Sequence, residues 1–204
     1  MPTDVQVRPV SPDPVSSSVQ VGQPVKIIVA GGFGVGKTTL IGAISEIDPV
    51  TTEHIMTTAG AASDDTSLVP GKTSTTVAMD FGRISLATDI VLYLFGTPGQ
   101  KRFWFMWDAI CAGAVAAVVL ADTRRLRDAF GPIDYFEKHR IPFLVAVNPF
   151  DGQLAHPIDD VREALAVDPS VPIRVCDART RDAVRKLLID LVQHAIHTCI
   201  PSHH

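Results

Sequence analysis

The residues with the clearest chemistry form a glycine-rich stretch, Gly31-Gly32-Phe33-Gly34-Val35-Gly36-Lys37-Thr38. It fits G-x-x-x-x-G-K-[ST], a loop whose backbone N–H groups curl around phosphates because glycines leave room for them. We expect Lys37 to reach the β- and γ-phosphates and to act in catalysis, and the Thr38 hydroxyl to ligate Mg²⁺. The predicted phosphate contacts are Gly31, Gly32, Phe33, Gly34, Val35, Gly36, Lys37, Thr38 and Thr39.

The elements around this stretch are those that such a loop requires. Residues 25–30 form a short, mostly apolar run that predicts a buried strand. After the loop, apolar residues recur at helical spacing and end at an Asp-Pro pair, which predicts one helix. A strand, a loop and a helix in this order place the positive end of the helix dipole at the phosphate.

Composition narrows the possible classes of protein. The chain has 204 residues, 46% of them hydrophobic, so it can bury a full core and is not a disordered chain. A net charge of -4 does not indicate binding to nucleic acid or to an anionic membrane. No apolar run approaches the roughly 18 residues of a membrane span, and the first residues do not form a signal peptide. We therefore expect a cytoplasmic protein.

The chain is predicted to form one domain, over residues 24–198. Residues 1–23, rich in Pro, Ser and Val, are expected to be a flexible leader, and residues 199–204 a short tail. From Val25, strands and helices alternate, which favours a largely parallel sheet. The connection from Asp48 to Thr75 has no strong apolar period, so we expect a functional or mobile loop there.

Six strands are predicted in all. Only residues 85–88 separate the second from the third, so these two should form an antiparallel hairpin inside a parallel sheet. The strands after the first are expected at residues 76–84, 89–95, 114–122, 142–148 and 171–176, and helices at about 102–112 and 128–138, from Pro157, and over residues 184–196.

A phosphate loop followed by one hairpin in a parallel sheet resembles the Ras-like small GTPases, over about Val25 to His197. Departures in later motifs make the chain most similar to the bacterial MglA-type GTPases. The resemblance implies a P-loop NTPase fold of three layers, with a six-stranded, mostly parallel sheet flanked by helices. It implies GTP/GDP and Mg²⁺ as ligands and a Roadblock/LC7-type protein as a partner. It also implies that the protein could act in a sensor-kinase system and could associate with membranes through its partners.

The family's two switch segments have counterparts here. Thr76 follows the long loop, as the family's switch threonine does, which implies contacts to Mg²⁺ and the γ-phosphate; Thr75 is a rival, and a plain strand threonine is the alternative. Gly96-Thr97-Pro98-Gly99-Gln100 resembles the family's D-T-A-G-Q segment. Gly99 would turn its N–H toward the γ-phosphate, and Gln100 would orient the attacking water. Gly96 replaces the family's Asp, which predicts slow intrinsic hydrolysis; an ordinary Pro-Gly turn is the alternative.

Asn148-Pro149-Phe150-Asp151 stands where the family has N-K-x-D. The resemblance implies that Asp151 accepts hydrogen bonds from guanine, which adenine cannot offer, and that Asn148 braces the loop. Pro149 replaces a lysine whose stem covers the base. Ala178, in a segment similar to the family's S-A-K, would offer its N–H to the guanine carbonyl. A plain Asn-Pro turn is the alternative for the first segment, and a simple strand-to-helix loop for the second.

Two further stretches are ambiguous. Five large apolar residues at 103–107 cannot all face the sheet if they are helical, so they predict either a partner surface beside Gln100 or a deeply covered helix. The run Arg124-Arg125-Leu126-Arg127 is interpreted as a solvated face.

Three functions remain open from the sequence. The leading one is a GTP-dependent switch with slow hydrolysis that signals to protein partners. A non-hydrolysing GTP-bound adaptor is favoured by Gly96. A phosphotransferase with the same phosphate loop is a third, although it leaves Asn148 and Asp151 unexplained and no arginine-rich lid is evident.

Overall fold

The computed structural model describes residues 23–48, 50–57, 74–87, 90–152 and 154–199. The predicted leader, the last residues of the predicted tail and most of the predicted switch loop lie outside this described part. The boundaries of the domain therefore stay a prediction.

Within the described residues, seven strands form one sheet in the order β2-β3-β4-β1-β5-β6-β7. β3 is antiparallel to both of its neighbours, and the remaining neighbouring pairs are parallel. The predicted fold class is confirmed, with one more strand at an edge. The strands are β1 Gln23–Gly31, β2 Val50–Thr57, β3 Ser74–Ala87, β4 Ile90–Gly96, β5 Ala116–Ala121, β6 Phe143–Val147 and β7 Ile173–Val175.

The extra strand, β2, corrects the prediction of an irregular segment from Asp48 to Thr75. All of its eight residues pair with β3, from Val50 opposite Phe81 to Thr57 opposite Ser74. Its sequence, VTTEHIMT, shows no clear alternation of apolar and polar residues, although several of its residues are β-branched. The strand pairs with β3, which has 14 residues. The hydrogen bonds to β3 therefore determine that this segment is a strand, although its own sequence pattern is weak.

Helices cover both faces of the sheet. One hydrophobic cluster lies under α1 and α5 and includes Leu40, Ile44, Leu188 and Leu191. A second lies under α2, α3 and α4 and includes Trp107, Phe136 and Leu165. The helices are α1 Lys37–Ile44, α2 Trp107–Cys111, α3 Phe130–His139, α4 Ile158–Leu165 and α5 Arg181–Cys199, with 3-10 segments at Lys101–Met106, Thr123–Ala129 and Phe150–Gly152.

Within the described ranges, no helix combines the length and the apolar character that crossing a bilayer demands.

The direction of the strands decides where a ligand can bind. β4, β1, β5, β6 and β7 run parallel in adjacent positions, so their carboxyl ends lie at one edge of the sheet. The loops that follow these strands meet at that edge, which is where ligands bind in open α/β sheets. The glycine-rich stretch and the segments at 96–100, 122–129, 148–151 and 176–178 are all among them.

Candidate nucleotide-binding site

The phosphate loop, residues 31–38, connects the end of β1 to the start of α1. Gly31, Gly34 and Gly36 have φ angles of 139°, 76° and 108°, in the region that favours glycine. A Cβ at Gly31 would lie 2.5 Å from the carbonyl oxygen of Leu120, and one at Gly36 would lie 2.9 Å from Nδ2 of Asn148. Glycine is therefore required both by the backbone and by the neighbouring loops.

Lys37 points back into the loop. Its Nζ donates to the carbonyl oxygens of Gly31 and Gly32, at 3.0 and 2.8 Å. The side chain is buried, and this burial lowers the pKa of Lys37 to about 8, although the nearby Asp80 carboxylate works in the opposite direction. A buried cation held against backbone carbonyls is suited to receive an anion, since phosphate oxygens would replace weaker partners.

Thr38 is bound by a residue that the sequence analysis did not single out. Its hydroxyl donates a 2.6 Å hydrogen bond to Oδ2 of Asp80, which lies on β3. A Cβ at Gly96, on the adjacent β4, would lie 3.2 Å from Cβ of Asp80 and 3.3 Å from its Oδ2. The carboxylate of Asp80 therefore occupies the space beside Gly96, where the resembled family carries its Asp.

The segment after β4 lies against the phosphate loop. A Cβ at Gly99 would be 2.7 Å from the Phe33 nitrogen and 2.8 Å from Nζ of Lys37, so only glycine permits this approach. Gln100 is the next residue, and its Oε1 accepts a 2.9 Å hydrogen bond from Nε of Arg102. The structure thus brings Gly99 to Lys37, and it shows Gln100 engaged by a neighbour in its own segment.

Thr76 lies within β3, opposite Ile55. It precedes Asp80 by four positions, which corresponds to about 13 Å along a strand. Its side chain lies outside the described part, as does most of the predicted switch loop. The backbone therefore places Thr76 on the same strand as Asp80, the residue that binds Thr38, and its contact with the metal stays a prediction.

Asn148 connects three loops at the site. Its side chain is buried; Nδ2 donates to the Val35 carbonyl at 3.1 Å, and Oδ1 accepts from the Ala178 N–H at 3.3 Å. This geometry matches the bracing role expected for Asn148. The Ala178 N–H, expected to meet a base, donates to Asn148 in this structure. Asp151 lies in the 3-10 segment after β6, and its side chain is outside the described part.

The arginine run is solvated, as interpreted from the sequence, and two of its arginines also form ion pairs. Arg124 holds the carboxylate of Asp122 with two nitrogens, each at 2.9 Å, and this hydrogen bonding lowers the pKa of Asp122. Arg125 pairs with Asp128 at 3.1 Å. Both arginine side chains stay about half exposed, at 54% and 55%, because only one side of each meets the protein.

The aromatic stretch divides into covered and exposed members. Trp107 is buried, and Trp104 packs so closely on α3 that a Cβ at Gly131 would lie 1.8 Å from its ring. Phe105 is 59% exposed. Of the two tryptophans and Phe105, then, only the phenylalanine offers most of its side chain to a partner.

The donor set fits Mg²⁺ when phosphate oxygens share the coordination. The Thr38 hydroxyl and the Asp80 carboxylate are hard oxygen groups, and their hydrogen bond fixes the orientation of the hydroxyl. Among the described residues, no three His, Cys, Asp or Glu side chains form a metal-binding group. The chain alone would not make a closed metal site there, whereas a nucleotide would supply the missing oxygens.

A family model described as "Conserved hypothetical ATP binding protein" matches residues 29–198. The chain belongs to this family. It is also 27% identical, over 173 residues, to an uncharacterized protein of Methanocaldococcus jannaschii, a match that covers 83% of this chain and 96% of that protein. Membership, together with the loop geometry, makes the chain a nucleotide-binding P-loop protein.

Solved structures of G domains share this fold. The G domain of the T. maritima FeoB iron transporter has a TM-score of 0.57 and 18% identity, over 85% of this chain and 99% of that one. The FeoB G domain from Methanococcus jannaschii has a TM-score of 0.56 and 13% identity, over 85% and 99%. The GDP form of the T. maritima cytosolic domain has a TM-score of 0.58 and 17% identity, over 85% and 64%. At these identities the similarity shows the G-domain fold.

Proposed function

We propose that the chain is a cytoplasmic GTP-binding switch with slow intrinsic hydrolysis, of the MglA type. The observation that carries the proposal is the buried Asn148, which joins the phosphate loop at Val35 to the loop that contains Asp151. A nucleotide whose phosphates lie at Lys37 would then extend its base toward Asp151. A carboxylate there accepts hydrogen bonds that guanine donates and adenine does not.

The chain's own groups have separate roles in the proposed hydrolysis. Lys37 leaves its two carbonyl partners for the β- and γ-phosphates, and the backbone of Gly99 lies close to Nζ of Lys37. Gln100 orients the attacking water once its amide is released from Arg102. Thr38 and Asp80 would hold Mg²⁺, which supplies charge stabilisation for the phosphates.

The hydrogen bond between Gln100 and Arg102 would make GTP hydrolysis slow. The amide oxygen of Gln100 is bound to Arg102 in the same segment, so water positioning requires a rearrangement. Unaided G domains already hydrolyse GTP at about 10⁻² to 10⁻⁴ per second. A partner of the Roadblock/LC7 type that reorders the segment, or that donates an arginine, would raise this rate.

The deciding experiment is identification of the nucleotide released when the purified protein is denatured, followed by competition between GTP and ATP. We expect guanine nucleotides to be bound and GTP to displace a labelled guanine nucleotide at much lower concentration than ATP. Equal competition, or a preference for ATP, the nucleotide named in the description of the family, would refute the guanine assignment.

A non-hydrolysing GTP-bound adaptor is the second candidate, because Gln100 is engaged by Arg102. Single-turnover hydrolysis separates the two functions. An adaptor would retain GTP unchanged with and without partner, whereas a switch converts it to GDP and does so faster when a partner is added.

A further inference from the structure

A cavity of about 320 Å³ lies between the phosphate loop and the segment after β5. Gly32, Phe33 and Gly34 line one side, and Asp122, Arg124 and Arg125 line the other. It lies on the β5 side of β1, whereas Asp80 on β3 and Gly99 after β4 approach from the other side. The role of its arginines is not explained by phosphate or metal binding at Thr38.

Arg124 is held in a defined orientation at this cavity. Its backbone N–H and its Nε both donate to Oδ1 of Asp122 at 2.9 Å, and its Nη2 donates to Oδ2 at the same distance. The guanidinium carbon then lies 4.0 Å from the centroid of the Phe150 ring. A planar guanidinium over an aromatic ring is a favourable contact.

Phe150 belongs to the base loop, residues 148–151, between Pro149 and Asp151. The loop is closed by short backbone hydrogen bonds, from the Phe150 N–H to the Asn148 carbonyl at 3.0 Å and from Gly152 to Pro149 at 3.3 Å. Because Asp151 is the next residue, a contact that holds the Phe150 ring also restrains the backbone from which Asp151 projects. The Arg124–Phe150 contact thus connects the end of β5 to the residue proposed to recognise the base.

We propose that Arg124 is a positioning residue for the nucleobase: it holds the base loop through Phe150 and so slows release of the bound nucleotide. Asp122 orients Arg124, Arg124 holds the ring of Phe150, and the ring holds the backbone of the loop that contains Asp151. The carboxylate of Asp122 is largely buried while Arg124 is about half exposed, so the pair holds the guanidinium in one orientation at the surface. This inference rests on the proposed nucleotide-binding function.

Release of fluorescent methylanthraniloyl-GDP, followed by stopped-flow against excess GDP, tests the proposal. We expect about three- to tenfold faster release from Arg124→Ala, the range that the loss of one cation–π contact predicts. Arg124→Lys should be intermediate, because an ammonium keeps the charge and loses the planar stack. Arg127→Ala is the matched control: it removes one exposed arginine from the same 3-10 segment, does not line the cavity, and should release nucleotide at the wild-type rate.

A double variant shows whether Arg124 acts through the ring. If it does, Arg124→Ala should accelerate release in the wild type and add little in a Phe150→Leu background. Wild-type release from Arg124→Ala, or equal effects of Arg124→Ala in both backgrounds, would overturn the proposal.

A spectroscopic measurement on the free protein keeps this inference separate from the proposed function. In protein labelled with fluorophenylalanine, the resonance that disappears in Phe150→Leu is that of Phe150. We expect it to move in Arg124→Ala and to stay in place in Arg127→Ala; an unmoved resonance would overturn the contact. Failure of the wild type to bind any guanine nucleotide would refute the proposed function, and release of methylanthraniloyl-ADP would then test Arg124 in the same way.

Discussion

The hydroxyl of Thr38 donates a 2.6 Å hydrogen bond to the carboxylate of Asp80, a residue 42 positions further along the chain. Thr38 belongs to the phosphate loop and Asp80 to β3, which is two strands away from β1 in the sheet. The phosphate loop is therefore linked directly to the strand that leaves the predicted switch segment.

Asp80→Ala should weaken nucleotide affinity in Mg²⁺ by about 10- to 100-fold, the usual cost of removing a group that orients a metal ligand. Affinity in EDTA should change little, since Lys37 and the loop amides remain. Titration of labelled GDP under both conditions measures the difference.

The double variant Asp80→Ala/Gly96→Asp should recover part of the Mg²⁺ dependence, because the two positions share one space. Gly96→Asp alone should be poorly tolerated, since its Cβ would meet Asp80 at 3.2 Å. An equal loss of affinity in EDTA and in Mg²⁺ for Asp80→Ala would show that Asp80 acts on the fold rather than on the metal.

Binding of nucleotide should take up a proton at alkaline pH. In the free protein, burial holds the pKa of Lys37 at about 8, so the amine is mostly neutral at pH 9. Phosphate stabilises the charged form, which raises this pKa on binding. We expect uptake of about 0.9 proton per GDP at pH 9 and about 0.1 at pH 7 from Lys37 alone. Calorimetry in buffers of different ionisation enthalpy measures it; no rise in uptake toward pH 9 would contradict the assignment.

Trp104→Ala should cost about 2–4 kcal/mol of unfolding free energy, because it leaves a cavity over Gly131 and beside Trp107. Phe105→Ala, at a 59% exposed position, should change it by less than about 0.5 kcal/mol. Urea titrations measure the free energy of unfolding of both variants, and a larger loss in Phe105→Ala than in Trp104→Ala would contradict the packing of Trp104 on Gly131.

If the segment at 103–107 binds a partner, Phe105→Ala should weaken the complex while leaving the fold intact.

Asp151→Asn should weaken binding of guanine nucleotides and improve binding of xanthine nucleotides, since the amide offers a donor where guanine needs an acceptor. Asp159→Asn, an exposed position in the first turn of α4, is the matched control and should leave base preference unchanged. Competition of GTP and XTP against labelled GDP gives the ratio, and an unchanged ratio in Asp151→Asn would remove Asp151 from the base site.

The local parts of the site could be predicted from the sequence. β1, the phosphate loop and α1 are contiguous, and the spacing of their glycines and apolar residues indicates all three. The place of Asp80 could not be predicted in this way, because it depends on the β3–β4 register, which pairs Phe81 with Phe95 and so places Asp80 beside Gly96. A register shift between Ser85 and Ala87 sets this pairing, and the sequence pattern does not indicate it.

Other contacts depend on the folded chain and have no local signal. Asn148 and Val35 are 113 residues apart, and the stack of Arg124 on Phe150 joins loops that follow different strands. β2 was missed for a similar reason, because its pairing with β3 stabilises a segment with little pattern of its own.

The direction of β1 has a practical consequence for experiments on this protein. β1 begins at Gln23 and ends at the phosphate loop, about 26 Å away for a strand of this length. The last turns of α5 return to the beginning of β1, since Ala195 and Ile196 line a cavity together with Gln23 and Val25. A surface tether or a fluorescent label attached at the start of β1 or in the last turn of α5 would therefore lie at the edge opposite the nucleotide. Immobilised in that way, the protein would present its nucleotide-binding edge to the solution, and nucleotide association could be measured without obstruction by the surface.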